Sequence, residues 1–153
     1  MTSTEYGTIE REIHVEASPE VVFEVITRPE HLNKWWTADA DVEPSTGAVG
    51  ELVWGDRVHV APIKVVSAEP PRLFSFRWVY ADSTMDDDSN SLLVTFQLAP
   101  SGTGTTVRLV ESGFREMGWA DAKVEAEYLD HTSGWNKCIH DLGEYVGRLV
   151  STP

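Results

Sequence analysis

Two charged side chains stand where the alternation of their strands calls for apolar ones. From Thr8 to Glu16, Ile9, Ile13 and Val15 share one face with Arg11, while Glu10, Glu12, His14 and Glu16 take the other. From Thr105 to Ser112, Val107 and Leu109 share a face with Glu111. A carboxylate buried without a cation costs several kcal/mol, so partners are expected. The other use of such a group is as the polar anchor for a ligand with an apolar body. Aromatic residues give a second signal. Phe74, Phe76, Trp78 and Tyr80 alternate along one face of one strand. They either fill a large core or form the wall of a ligand cavity. Trp35, Trp36, Trp54, Phe96, Tyr128 and Trp135 extend that surface. Together with Arg11, Glu111 and His131, these residues are the candidate ligand-binding set.

Catalytic and metal chemistry is less legible. The five histidines, His14, His31, His59, His131 and His140, are scattered along the chain. His59 lies between Val58 and Val60 and so belongs to an outer face. His131, one turn before Trp135, belongs to the cavity mouth. No metal site and no cofactor are expected. The chain carries no G-x-S-x-G, H-E-x-x-H, C-x-x-C, phosphate loop or dinucleotide fingerprint, and no catalytic residue is assigned. A binding protein is favoured over an enzyme. The alternative is a cyclase or dehydratase type of enzyme, using Glu111, Arg11, His131 or Tyr80 for acid–base work. A third reading is a regulatory or co-chaperone-like interaction protein that uses the acidic surface. Cys138, beside Ile139, reads as an inert buried thiol, with no cation near it to lower its pKa.

The elements that must position these residues follow from periodicity. Val124, Tyr128, Trp135, Ile139, Leu142, Val146 and Leu149 form one stripe, which predicts a helix from Val124 to Val150. Its roughly 26 residues make a rod of ~39 Å, which needs a partner of similar span. Trp135, His131 and Tyr128 are expected to roof a cavity, with Ile139, Leu142 and Val146 sealing the packed end. Gly134 interrupts this helix at a cost of about 1 kcal/mol against alanine, which predicts close approach to the sheet or a kink. Gly143 and Gly147 are expected to pack closely on the sheet, or to widen a groove. Ser18-Pro19-Glu20 opens an earlier helix with a cap and an N1 proline, and Pro29 ends it and begins a second, to Trp36. Strands are expected at 8–16, 41–43, 50–54, 58–68, 72–80, 91–99 and 105–112. Pro62 inside the fourth implies an edge position or a bulge. The fold class is α+β: a curved antiparallel sheet wrapped around a long C-terminal helix, with two short helices after the first strand. One helix of about 10 Å diameter does not fill a concave sheet, so a cavity is expected between them.

The totals bound the rest. At 153 residues the chain is expected to be a single domain over residues 8–151 behind a flexible tail, 1–7. A formal net charge of −13 argues against nucleic acid and against an anionic membrane surface. Asp86-Asp87-Asp88 reads as a solvated loop tip. With one cysteine and no apolar leader, a cytoplasmic location is expected. A homodimer through an edge strand is an open expectation.

Several short motifs occur in a telling order. Ala17-Ser18-Pro19-Glu20-Val21-Val22-Phe23 opens the first helix, and Pro29-Glu30-His31-Leu32-Asn33-Lys34-Trp35-Trp36 makes the second. Gly50-Glu51-Leu52-Val53-Trp54, Pro70-Pro71-Arg72-Leu73 before Trp78, Glu111-Ser112-Gly113-Phe114, and His131 to Gly134-Trp135 follow. In this order, from Ile9 to Val150, the chain resembles the activator of heat-shock-protein-90 ATPase homologue-like family, within the START-related, Bet v 1-like (SRPBCC) helix-grip superfamily. The resemblance implies an elongated internal pocket for a small hydrophobic molecule. No chaperone partner is expected, because the co-chaperone behind the family name has a further domain N-terminal to this one and only a short tail precedes Ile9 here. In the helix-grip order the first and last strands pair antiparallel. A register near a sum of 120 to 122 then sets Arg11 beside Leu109 to Glu111 and predicts an Arg11–Glu111 ion pair.

Overall fold

Strand alternation and helix caps build the architecture in the expected order. The computed structural model describes residues 7–36, 38–41, 43, 45–54, 59–78, 91–117 and 119–151. Seven strands are seen: β1 (Thr8–Val15), β2 (Ala38–Asp41), β3 (Val49–Trp54), β4 (His59–Glu69), β5 (Leu73–Trp78), β6 (Leu92–Ser101) and β7 (Gly104–Ser112). Helices α1 (Pro19–Thr27) and α2 (Pro29–Trp35) follow β1, and α3 (Asp121–Ser151) closes the chain. The strands form one antiparallel sheet in the order β1-β7-β6-β5-β4-β3-β2. The fold is the α+β helix-grip arrangement. Among the described residues, no helix is long and apolar enough to cross a membrane.

Local chemistry explains the element ends. The Ser18 hydroxyl accepts the Val21 N–H at 3.3 Å, and Pro19 stands in the first turn of α1. The Trp35 indole N–H donates to the Val25 carbonyl at 2.8 Å, which ties α2 to α1. His31 Nδ1 and the Tyr145 hydroxyl lie 2.6 Å apart, which ties α2 to α3. Pro62 is not on an edge strand, because β4 lies between β5 and β3; it pairs with Glu51 of β3 and directly precedes Ile63, the first residue of β4 described opposite β5. The bulge in β4 falls elsewhere, between Val65 and Ser67. Strand β2 begins and ends earlier than the 41–43 expected from sequence.

The core lies between the concave face and the helices. Ile9, Val65, Val94, Val107, Leu109, Leu142 and Val146 are fully buried. The α3 stripe holds from Val124 to Val146, but Leu149, expected within it, is 37% exposed. Gly134 is also corrected. It is exposed, and a Cβ built there meets nothing within 4 Å, so no close approach to the sheet requires glycine. Gly134→Ala is therefore expected to stabilise the fold by about 0.5–1 kcal/mol through helix propensity, read as a higher urea midpoint at unchanged slope. Gly143 and Gly147 do not pack tightly on the sheet either. A Cβ at Gly143 meets only the Ile13 Cδ1 at an ordinary 3.7 Å, and one at Gly147 meets nothing. Both line a shallow outer groove of about 570 Å³ between α3 and β1, shared with Ile13 and Ile139.

Candidate functional site

Glu111 is the centre of the polar chemistry on the concave face. It stands near the end of β7, opposite Ile9 of β1 and Val94 of β6, and is fully buried. The expected register is found, with Arg11 opposite Leu109. The expected ion pair is not. Arg11 Nε donates to Asn136 Oδ1 at 2.7 Å and Arg11 Nη1 to the Glu10 carbonyl, so its guanidinium turns to α3 at the sheet's edge. Three N–H groups take its place around Glu111. Oε1 accepts from the Trp135 indole at 2.7 Å and from His131 Nδ1 at 2.8 Å, and Oε2 accepts from the Trp78 indole at 2.7 Å. Hydrogen bonds to a charged acceptor are short and strong, and three of them stand in for a cation. Of about four acceptor positions on a carboxylate, these bonds use three.

The donors come from separate elements. Trp78 ends the described part of β5, and His131 and Trp135 are one turn apart on α3, so both point to the same patch of sheet. Phe114 was not singled out as a site residue from sequence, although it ends a quoted motif. It is fully buried, with its ring edge-on to His131 at 5.3 Å and to Tyr128 at 5.5 Å. Its signal was Gly113, whose φ of 109° turns the chain inward directly after β7.

Of the aromatic face of β5, Phe74, Phe76 and Trp78 are described, and their rings pack against one another and against the tryptophans of α2 and α3. Trp36 stacks on Trp35 at 5.5 Å between centroids and 8° between planes. Trp36 also meets Trp78 at 5.8 Å and Trp135 at 5.6 Å, and the last two meet at 5.7 Å. Phe74, Phe76 and Trp78 form a contact chain along β5, and Phe96 meets Trp135 edge-on. A flat guest between two ring faces needs about 7 Å, because each contact takes about 3.5 Å. The rings thus fill much of the space where a cavity was expected. A void of about 10 Å³ remains beside them, lined by side chains that include Leu32, Trp36, Leu52, Ile63, Phe74 and Phe76. It is scarcely large enough for one water. Tyr128 lies at the far end, its hydroxyl donating to the Thr8 carbonyl at 3.0 Å. Trp54 lies in β3 without a described side-chain environment, and Tyr80 and Asp86-Asp87-Asp88 lie outside the described residues.

His131 is held between opposing influences. Burial lowers its pKa. The hydrogen bond to Glu111, then the charges of Glu111, Glu127 and Asp130, raise it, and the net shift is upward. A histidine with a raised folded-state pKa contributes stability that is complete below its unfolded value of about 6.5 and is lost as pH rises through the folded value. The protein is therefore expected to lose stability between about pH 6 and about pH 8, and His131→Gln to flatten that slope. Urea midpoints at the two pH values check this, and equal slopes would refute it. Burial pushes the Cys138 thiol up to about 12, in keeping with an inert side chain.

One further donor set converges on α3. Donor atoms of Glu127, Asp130 and His131 lie within 4.8 Å of one another. They come from a single turn of one helix and Asp130 is exposed, so they offer a shallow face rather than an enclosing coordination shell. Among the described residues, Glu127 Oε2 and Thr132 Oγ1 are buried atoms with no hydrogen-bond partner, and Glu127 Oε2 lies 3.8 Å from His131 Nε2.

Comparison with known proteins sets this geometry in a family. The family model described as "Activator of Hsp90 ATPase homolog 1-like protein" matches residues 16–147. The chain belongs to this family. No curated protein matches it in sequence. Among solved structures, protein MLL2253 from Mesorhizobium loti has a TM-score of 0.75 at 26% identity, covering 92% of this chain and 97% of that one. CalU16 from Micromonospora echinospora has a TM-score of 0.69 at 19% identity, covering 91% and 73%. The Aha1 dimer from Colwellia psychrerythraea, a solution structure, has a TM-score of 0.68 at 21% identity, covering 92% and 96%. The last two likenesses concern the fold alone.

Proposed function

We propose that this family member binds a small, largely apolar molecule between the sheet and α3, with no catalytic step of its own. The observation that carries the reading is the buried Glu111 carboxylate, fixed by Trp78, His131 and Trp135 at the edge of an aromatic cluster. A few placed polar groups in an otherwise apolar lining are the usual composition of a small-molecule site. The acceptor position left on Glu111 suits an O–H or N–H of the ligand. Trp36, Trp78, Trp135, Phe76 and Phe96 supply the contact area for its apolar body. Native mass spectrometry of the freshly purified protein tests the proposal. The expected result is an added mass released on unfolding and reduced in Glu111→Gln. A protein of bare mass, whose tryptophan emission is also unchanged by a panel of small apolar alcohols, would overturn it.

One observation favours a second reading, acid–base catalysis of the cyclase or dehydratase type. The Glu111–His131 pair, at 2.8 Å, orients the imidazole as a carboxylate orients a general base. Recovery of the co-purifying molecule in a chemically altered form after incubation, lost in His131→Gln, would move the balance to that reading.

A further inference from the structure

The outer face of α3 carries features that the folded monomer does not explain. Leu129, Ser133, Asn136, His140, Gly143 and Gly147 follow one another at spacings of four and three, so they share one side of the helix, away from the buried Trp135, Leu142 and Val146. All but Gly143 are exposed, and none is an Asp, Glu, Lys or Arg, in a chain with 25 acidic and 12 basic residues. Leu129 is 52% exposed and stands out from the helix as a knob. Further along the same face, Gly143 and Gly147 make a notch in the outer groove of about 570 Å³, which Ile13 and Ile139 also line. Each glycine costs the helix about 1 kcal/mol against alanine. The sheet needs neither of them, because a Cβ at Gly147 would meet nothing within 4 Å and one at Gly143 only the Ile13 Cδ1 at 3.7 Å. What the two glycines keep open is space outside the molecule.

We propose that this face is an interface between two copies of the chain, their α3 helices packed antiparallel across a two-fold axis level with Cys138. Leu129 and Gly147 are five turns of 3.6 residues apart, so they point the same way from positions about 27 Å apart along the helix. An antiparallel copy therefore sets each Leu129 over the second copy's Gly147, at both ends of the contact at once. The same register sets Ser133 over the second copy's Gly143, small against small, and Asn136 beside the second copy's His140. Asn136 Oδ1 already holds Arg11 Nε, so its amide N–H is the donor to that ring. Charge fits the same register. Asp130 follows Leu129 and Arg148 follows Gly147, so each Asp130 meets the second copy's Arg148. Both are exposed, and Arg148 lies 3.7 Å from Glu144 on its own helix, from where it can bridge two carboxylates. Lys137, next to the axis, is neutralised by Asp141 at 2.6 Å. Two chains of formal charge −13 repel each other, so contact is least opposed on a face without surplus charge. A knob and an acid at one end, and a notch and a base at the other, form a self-complementary surface, which a second copy satisfies by symmetry. Glu111 and its three donors lie on the inner side of α3 and take no part.

Sedimentation velocity of the full chain across the micromolar range tests the interface. The wild type is expected to show a reversible dimer of twice the monomer mass. Gly147→Gln fills the notch at both ends and is expected to weaken self-association by about tenfold or more. It also replaces a helical glycine, so at concentrations where the wild type is monomeric its urea midpoint is expected to rise. Gly134→Ala, on a different side of α3, serves as the control and leaves association unchanged. Asp130→Arg and Arg148→Asp each set like charges together at both ends, and each is expected to weaken association by about tenfold or more. Mixed in equal amounts, these two variants are expected to form a heterodimer, because the mixture restores opposite charges at both ends. Gly147→Gln carries the test if a charge variant does not fold. A wild type that stays monomeric throughout the range would overturn the interface and leave this face to a different partner. A dimer that persists in Gly147→Gln and in both charge variants would overturn it too, and would move the contact elsewhere, first to the β1 edge of the sheet. Two monomeric charge variants that form no heterodimer when mixed would overturn the antiparallel register.

Discussion

Leucine in place of Glu111 is expected to cost about 3–5 kcal/mol of folding stability. The substitution keeps an apolar side chain of similar bulk, so the loss does not come from packing. It comes from three N–H groups, on Trp78, His131 and Trp135, left inside the protein without an acceptor. At this chain length the change corresponds to a fall in Tm of roughly 10 °C. Urea denaturation at pH 7 provides the measure. The double variant Glu111→Leu/His131→Leu should lose less than the sum of the two single losses, because removing both partners leaves fewer stranded groups. A loss below about 1 kcal/mol in Glu111→Leu would show that water reaches the donors and that Glu111 does not organise the site.

The second large effect is expected at Phe114. Alanine there should cost about 3–5 kcal/mol, the range for deleting a buried aromatic ring. Phe114 is fully buried, and its ring backs both His131 and Tyr128. Its loss would open a space next to the imidazole. The His131 pKa should then lie nearer its ordinary value, because water in the gap weakens every influence on it: the burial that lowers it and the pull of Glu111, Glu127 and Asp130 that raises it. Denaturation gives the first effect, and an NMR titration of the His131 ring gives the second. A Phe114→Ala protein of unchanged stability would mean that neighbouring side chains collapse into the gap. Gly113 supports the same corner. Its φ of 109° favours glycine, and a Cβ there would lie 3.4 Å from the Ser91 carbonyl oxygen.

Much of the fold was legible in local patterns. The cap at Ser18, the proline at the start of each short helix and the alternation of β1, β6 and β7 each act over a few residues, and all were found where periodicity puts them. The α3 stripe was read correctly up to Val146, and its failure at Leu149 shows a stripe outrunning its cover. Gly134 was misread because a helical glycine's cost is visible in the sequence, but what stands opposite it is not. The structure puts open space there.

The site divides along the same line. Sequence alone marked Glu111 as a charge on an apolar face, marked the aromatic face of β5 and Trp35-Trp36, and placed Arg11 beside Leu109 to Glu111 once the strand order was supplied by the resemblance. What it could not determine was Glu111's partner. Coulomb reasoning selects the nearest cation on the same face, Arg11, because hydropathy counts tryptophan as an apolar residue. In the folded protein its indole N–H is a donor. Glu111 gathers donors 33, 20 and 24 residues away, on β5 and α3. Their meeting depends on the β5–β6–β7 order and on the rotation of α3 over the sheet, neither of which a local pattern encodes. The same packing gave Trp35, Trp78 and Trp135 oxygen acceptors for their indole N–H groups. Composition and periodicity thus specified an α+β sheet around a long helix with an aromatic interior. Only tertiary packing decided which donors surround the buried carboxylate, because hydrogen-bond partners are chosen by distance in space.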